Sequence, residues 1–359
     1  MPLPHLICRP AARGFRLIQL GLAVLGLALF STWAAAQGRE TLRILAWPGY
    51  ADADLVRAFE KRHDVRVEVT LVESDDALWS RLRANRGGDF DVLAANTAEL
   101  RRIIDDGLVQ PLDLANIPNT RQQLPRFRDL ASLPGVVRRG QVYAIPYTYS
   151  EMGLIYDRKQ VPEPPATVGA LWDPRFQGRV LAYNGSSHNF SLAAQSLGSK
   201  TPFRIPEADF RKVVDRLVAL RRNVRTFYTS PEEAVELFRD NRIALMFANY
   251  GTQQLAMLKK AGFDVGYAIP REGALAWLDC WAVSRGAHNP RLAEAWINYT
   301  LEEPVSTALT ARQGLANTLR EPSHLPPGAG LVWLEPVEDA GRRAALWRRI
   351  IAGDTPERF

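Results

Sequence analysis

The side chains that could do covalent or metal chemistry are few and scattered. Of five histidines, His5 lies near the N-terminus, and His63, His188, His288 and His324 are far apart. None stands at metal-ligand spacing from another histidine or a cysteine. Asn184-Gly-Ser-Ser-His188 joins a serine to a histidine, but a nucleophile and its base usually come from separate loops. There is no Gly-x-Ser-x-Gly elbow and no Gly-x-x-x-x-Gly-Lys phosphate loop. No nucleophile, base and metal set can be assembled, so catalysis, a metal and a cofactor are not expected. Cys280, in the apolar stretch Trp277 to Val283, reads as a buried inert thiol.

Aromatic residues and isolated acids are more informative, because they fall where strands end. Trp47 and Tyr50 follow a first strand, and Thr97 follows a third. Tyr149 and Glu151 lie in a connection between two units, and Trp277 and Asp279 lie in a stretch that returns the chain to the first. In open α/β sheets, ligands bind in the crevice beyond the carboxyl ends of strands. Such residues are expected to converge there as a binding site.

The elements that must hold them follow from periodicity. Leu42 to Ala46 makes an apolar strand, and Leu55 with Phe59 at i, i+4 marks a helix. Val65 to Val72 reads as a second strand. Ser74, followed by two aspartates, opens a helix whose buried stripe is Leu78 and Leu82. Phe90 to Ala95 is a third strand, and Leu100, Ile103 and Ile104 mark a helix stopped by Gly107. This β-α-β-α-β-α order predicts a mostly parallel sheet. A second unit follows a strand around Tyr143 to Tyr156. It contains a strand at Arg179 to Tyr183, a helix from about Ser187 and a helical stripe from Phe210 to Leu220. A Ser230/Glu233 capping box comes next, then a short strand at Ile243 to Phe247. Asn289-Pro290 opens a helix in the returning part.

The 359 residues are 47% hydrophobic and 23% charged, enough for a core in two domains or one large one. The first 36 residues read as a leader. Arg9, Arg13 and Arg16 precede the apolar run Leu17 to Phe30, and Ala34-Ala-Ala36 offers a cleavage site. Its three arginines carry half of the formal charge of +6. The remaining charges are interleaved, which argues against nucleic-acid binding.

Several stretches in this order resemble one family. They are Leu45-Ala-Trp-Pro-Gly-Tyr50, Glu73-Ser-Asp-Asp-Ala-Leu-Trp-Ser-Arg-Leu82, Asp89-Phe-Asp-Val-Leu93, Ala144-Ile-Pro-Tyr147, Leu171-Trp-Asp-Pro-Arg-Phe-Gln-Gly178 and Glu272-Gly-Ala-Leu-Ala-Trp-Leu-Asp279. Over roughly residues 41–320 the chain resembles the periplasmic solute-binding proteins of ABC importers, in their spermidine/putrescine branch. The resemblance implies an α/β, two-lobed, type II periplasmic-binding-protein-like fold. Two mixed sheets with flanking helices would be joined by two crossover strands. It implies a leader at 1–36, a first lobe at 37–147 plus 280–320, a second at 148–279, and a tail at 321–359 across both.

Carried over by position, Trp47 and Tyr50 match an aromatic wall, and Asn96 with Thr97 a polar contact loop. Trp277 and Asp279 match a Trp-x-Asp pair whose acid holds an ammonium. Where the family places acids after the second lobe's first strand, this chain has Asn184 to His188. Glu151, and more remotely Glu335, are the substitutes on offer. Tyr149, Ser187 and His188 complete the expected site. A buried ammonium needs a paired carboxylate, and aromatic faces add about 0.5–2 kcal/mol each. The expected ligand is a polyamine-like cation, delivered in the periplasm to a membrane permease by a monomer. The Gly-Ser-Ser turn leaves a rival open, because exposed N–H groups at a helix start favour an anion. The solute would then be a zwitterion or a phosphonate. A sensory module presenting its ligand to a receptor shares all these features.

Overall fold

The structure, a computed structural model, describes residues 39–240, 242–325 and 330–359; the leader expectation lies outside them. The first sheet contains β1 (Thr41–Ala46), β2 (Arg66–Leu71) and β3 (Val92–Asn96), alternating with α1 (Ala53–His63), α2 (Asp75–Ala84) and α3 (Thr97–Asp105). β1 pairs in parallel with both β2 and β3, as the alternating order predicts. Side chains take opposite faces of β1 in turn. Leu42, Ile44 and Ala46 pack with Phe59 and Trp296, while Leu45 packs with Leu78, Leu82, Leu100 and Ile103.

Local signals set the helix starts. Ser74 accepts from Ala77 N at 3.1 Å and so caps α2. Ser230 caps α6 (Pro231–Asp240) by accepting from Glu233 N at 3.1 Å. The returning Glu233 carboxylate takes Thr229 N, one residue earlier than in the standard box.

The stretch read as one strand from Tyr143 to Tyr156 is two. β4 (Ala144–Met152) belongs to the first sheet, and β5 (Leu154–Asp157) to a second, with Gly153 alone between them. Gly153 is forced by close approach: a Cβ there would stand 2.6 Å from the Tyr267 ring. The second sheet adds β6 (Val180–Tyr183), β7 (Val224–Tyr228), β8 (Leu245–Phe247) and β9 (Val265–Ala268), in the order β9-β5-β8-β6-β7. α4 (Ser186–Ser196) and α5 (Glu207–Asn223) cover one face of it; α6 and α7 (Thr252–Lys260) cover the other.

The chain returns to the first sheet as β10 (Ala274–Val283), antiparallel to both β3 and β4. The first sheet is therefore mixed. Its order is β11-β4-β10-β3-β1-β2, where β11 is Ala316–Asn317 and β12 (Leu331–Trp333) pairs with β10 off this path. The sheets thus change at Gly153 and between Ala268 and Ala274, while the expected boundaries at 147/148 and 279/280 fall inside β4 and β10. α8 (Pro290–Thr300) and α9 (Glu303–Gln313) complete the first unit, with Asn289 capping α8.

The C-terminal segment joins both units. β12 extends the first sheet, and Trp347 and Ile350 of α10 (Ala340–Ala352) enter the core of the second. Arg343 of α10 is fully buried and spends every N–H. Nε and Nη2 hold both Glu338 oxygens at 2.8 and 2.7 Å, Nη1 reaches Ser187 O and Ser191 Oγ, and Nη2 also reaches Pro202 O. Glu338 keeps contact with solvent, but removing the guanidinium leaves Ser187 O, Ser191 Oγ and Pro202 O without this donor. At about 1 kcal/mol or more for each acceptor left unpaired, Arg343→Met should cost about 3 kcal/mol of stability. Urea unfolding of the unliganded protein checks this, and a change below about 0.5 kcal/mol would contradict it.

Candidate ligand-binding cleft

Asp279 lies in the middle of β10 and is 7% exposed. Tyr50, in the turn after β1, donates its hydroxyl to Asp279 Oδ2 at 2.5 Å. Desolvation pushes the Asp279 carboxyl up to about 7, with the Tyr50 bond pulling the other way. Burial and the neighbouring carboxylate push the Tyr50 hydroxyl well above its ordinary value. Tyr50 in turn rests edge-on against Tyr147 and Trp281, so its position is fixed by the first core. A carboxylate held this dry, with one phenol as partner, suits a cationic group that arrives with its own hydrogen-bond donors.

Strand pairing places the neighbours. Asn96 stands directly across from Asp279 in the β3–β10 ladder, and Thr148 and Ser150 of β4 stand across from Asp279 and Trp277. Directly opposed residues share a face, their Cβ atoms about 5 Å apart. Asn96 caps α3, accepting from Ala98 N and Glu99 N, and donates Nδ2 to Asp75 Oδ1 at 3.2 Å. Trp277 lies two residues before Asp279, on the same face of β10. Its indole donates to Asn249 O in the loop after β8, so it touches both units. Trp47 packs against both cores of the first unit, its indole N–H buried without a hydrogen-bond partner.

The other expected residues are placed differently. Thr97 is fully buried and donates to Leu334 O at 2.6 Å, which joins α3 to the C-terminal segment. Tyr149 and Glu151 pair with Leu278 and Ala276, so alternation puts them on the opposite face from Trp277 and Asp279. Tyr149 accepts from Arg126, lies tilted against Phe127 and edge-on to Trp333, and burial pushes its hydroxyl up to about 12. Glu151 is fully buried and pairs through Oε1 with His324 Nε2 at 2.6 Å. Tyr267 donates to Glu151 O and accepts from Gly153 N, bracing the crossing between the sheets. Ser187 and His188 lie in the first turn of α4, where Ser187 O takes Arg343. Burial, with the Arg343 charge nearby, lowers His188 to about 4, so its ring is neutral at pH 7.

Sequence reasoning passed over four residues of the second unit's wall. Tyr183 ends β6, with Tyr228 and Tyr250 ring centroids 5.8 and 5.9 Å away. Asn249 lies two residues past the end of β8 and is 6% exposed; its side-chain oxygen has no hydrogen-bond partner. The signal was available: Tyr183 and Tyr228 end strands of a parallel pair, and Asn249 and Tyr250 lie just past the end of another.

The chain is similar to known proteins in sequence and in fold. The chain is 23% identical over 324 residues to the spermidine/putrescine-binding periplasmic protein 1 of Haemophilus influenzae, covering 86% of this chain and 87% of that one. It is 27% identical over 307 residues to the putrescine/agmatine-binding protein of Pseudomonas aeruginosa, 80% of each chain. It shares its fold with the spermidine/putrescine ABC transporter substrate-binding protein of Streptococcus pneumoniae, at a TM-score of 0.72 and 20% identity. That superposition covers 87% of this chain and 98% of the other. Residues 54–321 match the family described as bacterial extracellular solute-binding protein, and the chain belongs to that family.

Proposed function

We propose that this protein captures a polyamine between its two units in the periplasm and delivers it to the membrane permease of an ABC importer. As a member of a solute-binding family it is not an enzyme. The observation that carries the polyamine reading is the buried Asp279 carboxylate. It has Tyr50 as hydrogen-bond partner and Trp277 beside it, on a face that also meets the second unit through Asn249. The relatives from Haemophilus influenzae and Pseudomonas aeruginosa, both named for binding putrescine, point the same way. The working form is a monomer cleaved after Ala36, and its two lobes close by a hinge at the crossings. Closure reports the ligand to the permease because the ligand prefers the closed state.

One observation favours a second reading. Gly185, the residue before α4, offers no side-chain cap, so the first N–H groups of the helix could meet an anion. The solute would then be a zwitterion or a phosphonate, and substitution of Ser186 or Ser187 would hurt binding more than substitution of Asp279. A thermal-shift screen of the mature protein against polyamines, amino acids and phosphonates separates the two. A micromolar polyamine at 100-fold excess over its Kd should add about 2.7 kcal/mol of stability. Stabilisation by amino acids or phosphonates alone would reject the polyamine reading.

A further inference from the structure

The turn after the second unit's first parallel strand supplies no acid for the far end of a diamine. Residues 184–188 are Asn, Gly, Ser, Ser and His, with the Arg343 guanidinium beneath them. Glu151 is turned to the opposite face and paired with His324. Asp52, near Tyr50 in sequence, is held by Arg312 at 2.8 Å. The first unit, however, contains an acid that local physics explains only in part.

Asp75 is the first residue of α2, where a negative charge suits the helix dipole. The sheet order β10-β3-β1-β2 gives it a further place. Along one edge of the sheet come Asp279 on β10, Asn96 at the end of β3, Trp47 just after β1, and Asp75 four residues after β2. Asn96 links the two acids: it stands across from Asp279 and donates to Asp75 Oδ1 at 3.2 Å. Trp47, with its buried N–H unpartnered, follows the strand lying between those of Asn96 and Asp75. The edge thus presents acid, amide, indole, acid. From the facing unit, Tyr183 has its hydroxyl raised above the ordinary value chiefly by burial, with the Asp75 charge adding to it. The same wall holds Asn249, 94% buried, whose side-chain oxygen lacks the donor that a bound ammonium would supply.

We propose that Asp75 is the second carboxylate of the cleft, holding the far ammonium of a linear diamine whose near ammonium sits on Asp279. This rests on the polyamine reading of Asp279 and deepens it. It makes the ligand class cationic at both ends, and it moves the second charge contact from the second lobe to the first. Trp47 then lies along the alkyl chain between the two charges, where an aromatic face buries methylenes.

The test is calorimetry of putrescine and of 4-aminobutyrate, which has the same length but a carboxylate at the far end, on the parent and on Asp75→Asn. The isosteric change keeps the Asn96 neighbour, and a melt of each unliganded protein checks the fold. Asp75→Asn is expected to weaken putrescine by roughly 30-fold or more, as for loss of one partner of a desolvated charge pair. It should also shrink the parent's preference for putrescine over 4-aminobutyrate. A variant that binds putrescine within threefold of the parent overturns the role of Asp75 and leaves the polyamine reading standing. A parent that prefers 4-aminobutyrate, or binds neither compound, overturns both.

Discussion

Asp279→Asn should all but abolish amine capture. The variant keeps the shape of the side chain and removes only its charge, so the ligand's ammonium enters a dry site without a counter-ion. Breaking a buried, hydrogen-bonded charge pair in this way costs about 3–5 kcal/mol, which is a fall in affinity of roughly 100-fold to several thousand-fold. Tyr50 cannot compensate, because its hydroxyl is a donor to Asp279 and sits among Tyr147 and Trp281. Calorimetric titration with putrescine checks the result. A loss below tenfold would remove Asp279 from the site. The unliganded variant should melt higher than the parent at pH 8, because the parent buries a charge there and the variant does not. Gain of stability together with loss of binding separates a binding acid from a merely structural one, whose removal would lower both.

Much of the architecture was legible because local physics and the final structure agree. The periodic stripes of α1, α2 and α3 and the caps at Ser74 and Asn289 each need only a few neighbouring residues to be read. The Trp-x-Asp spacing of Trp277 and Asp279 put both on one face of a strand. What stayed hidden depends on partners far away in sequence. All nine residues of β4 are buried, so no polar alternation marks which face Glu151 takes or where the strand stops. Its pairing with β10 also shifts register between Asp279 and Cys280, a bulge that only the partner strand reveals. Asp75 was hidden for the opposite reason. A helix start accounts for an acid there so well that nothing local calls for a second role.

Amine affinity should fall steeply as the pH drops below 7. The Asp279 carboxyl is pushed up to about 7 in the unliganded protein, chiefly by desolvation. An ammonium needs the ionised form, so binding must displace a proton wherever Asp279 holds one. Aliphatic amines titrate near 10.4 and stay charged throughout, and His188, lowered to about 4, stays neutral. With one proton displaced per ligand, the apparent dissociation constant should rise about tenfold per unit below pH 7, so that pH 5 binding is roughly 100-fold weaker than at pH 8. The stability of the unliganded protein should move the other way. The folded-state value lies above the unfolded one, so this carboxyl's contribution is fully present below the unfolded value near 4. It is lost as the pH rises through about 7, by roughly 4 kcal/mol in all. Calorimetry of putrescine at pH 5, 6, 7 and 8 measures the first slope, and melts of the unliganded parent and Asp279→Asn over the same range isolate the second. An affinity flat from pH 5 to 8 would mean that the acid gripping the ligand is already ionised throughout, as a solvated carboxylate would be. The dry, phenol-capped Asp279 would then not be the group that selects for charge.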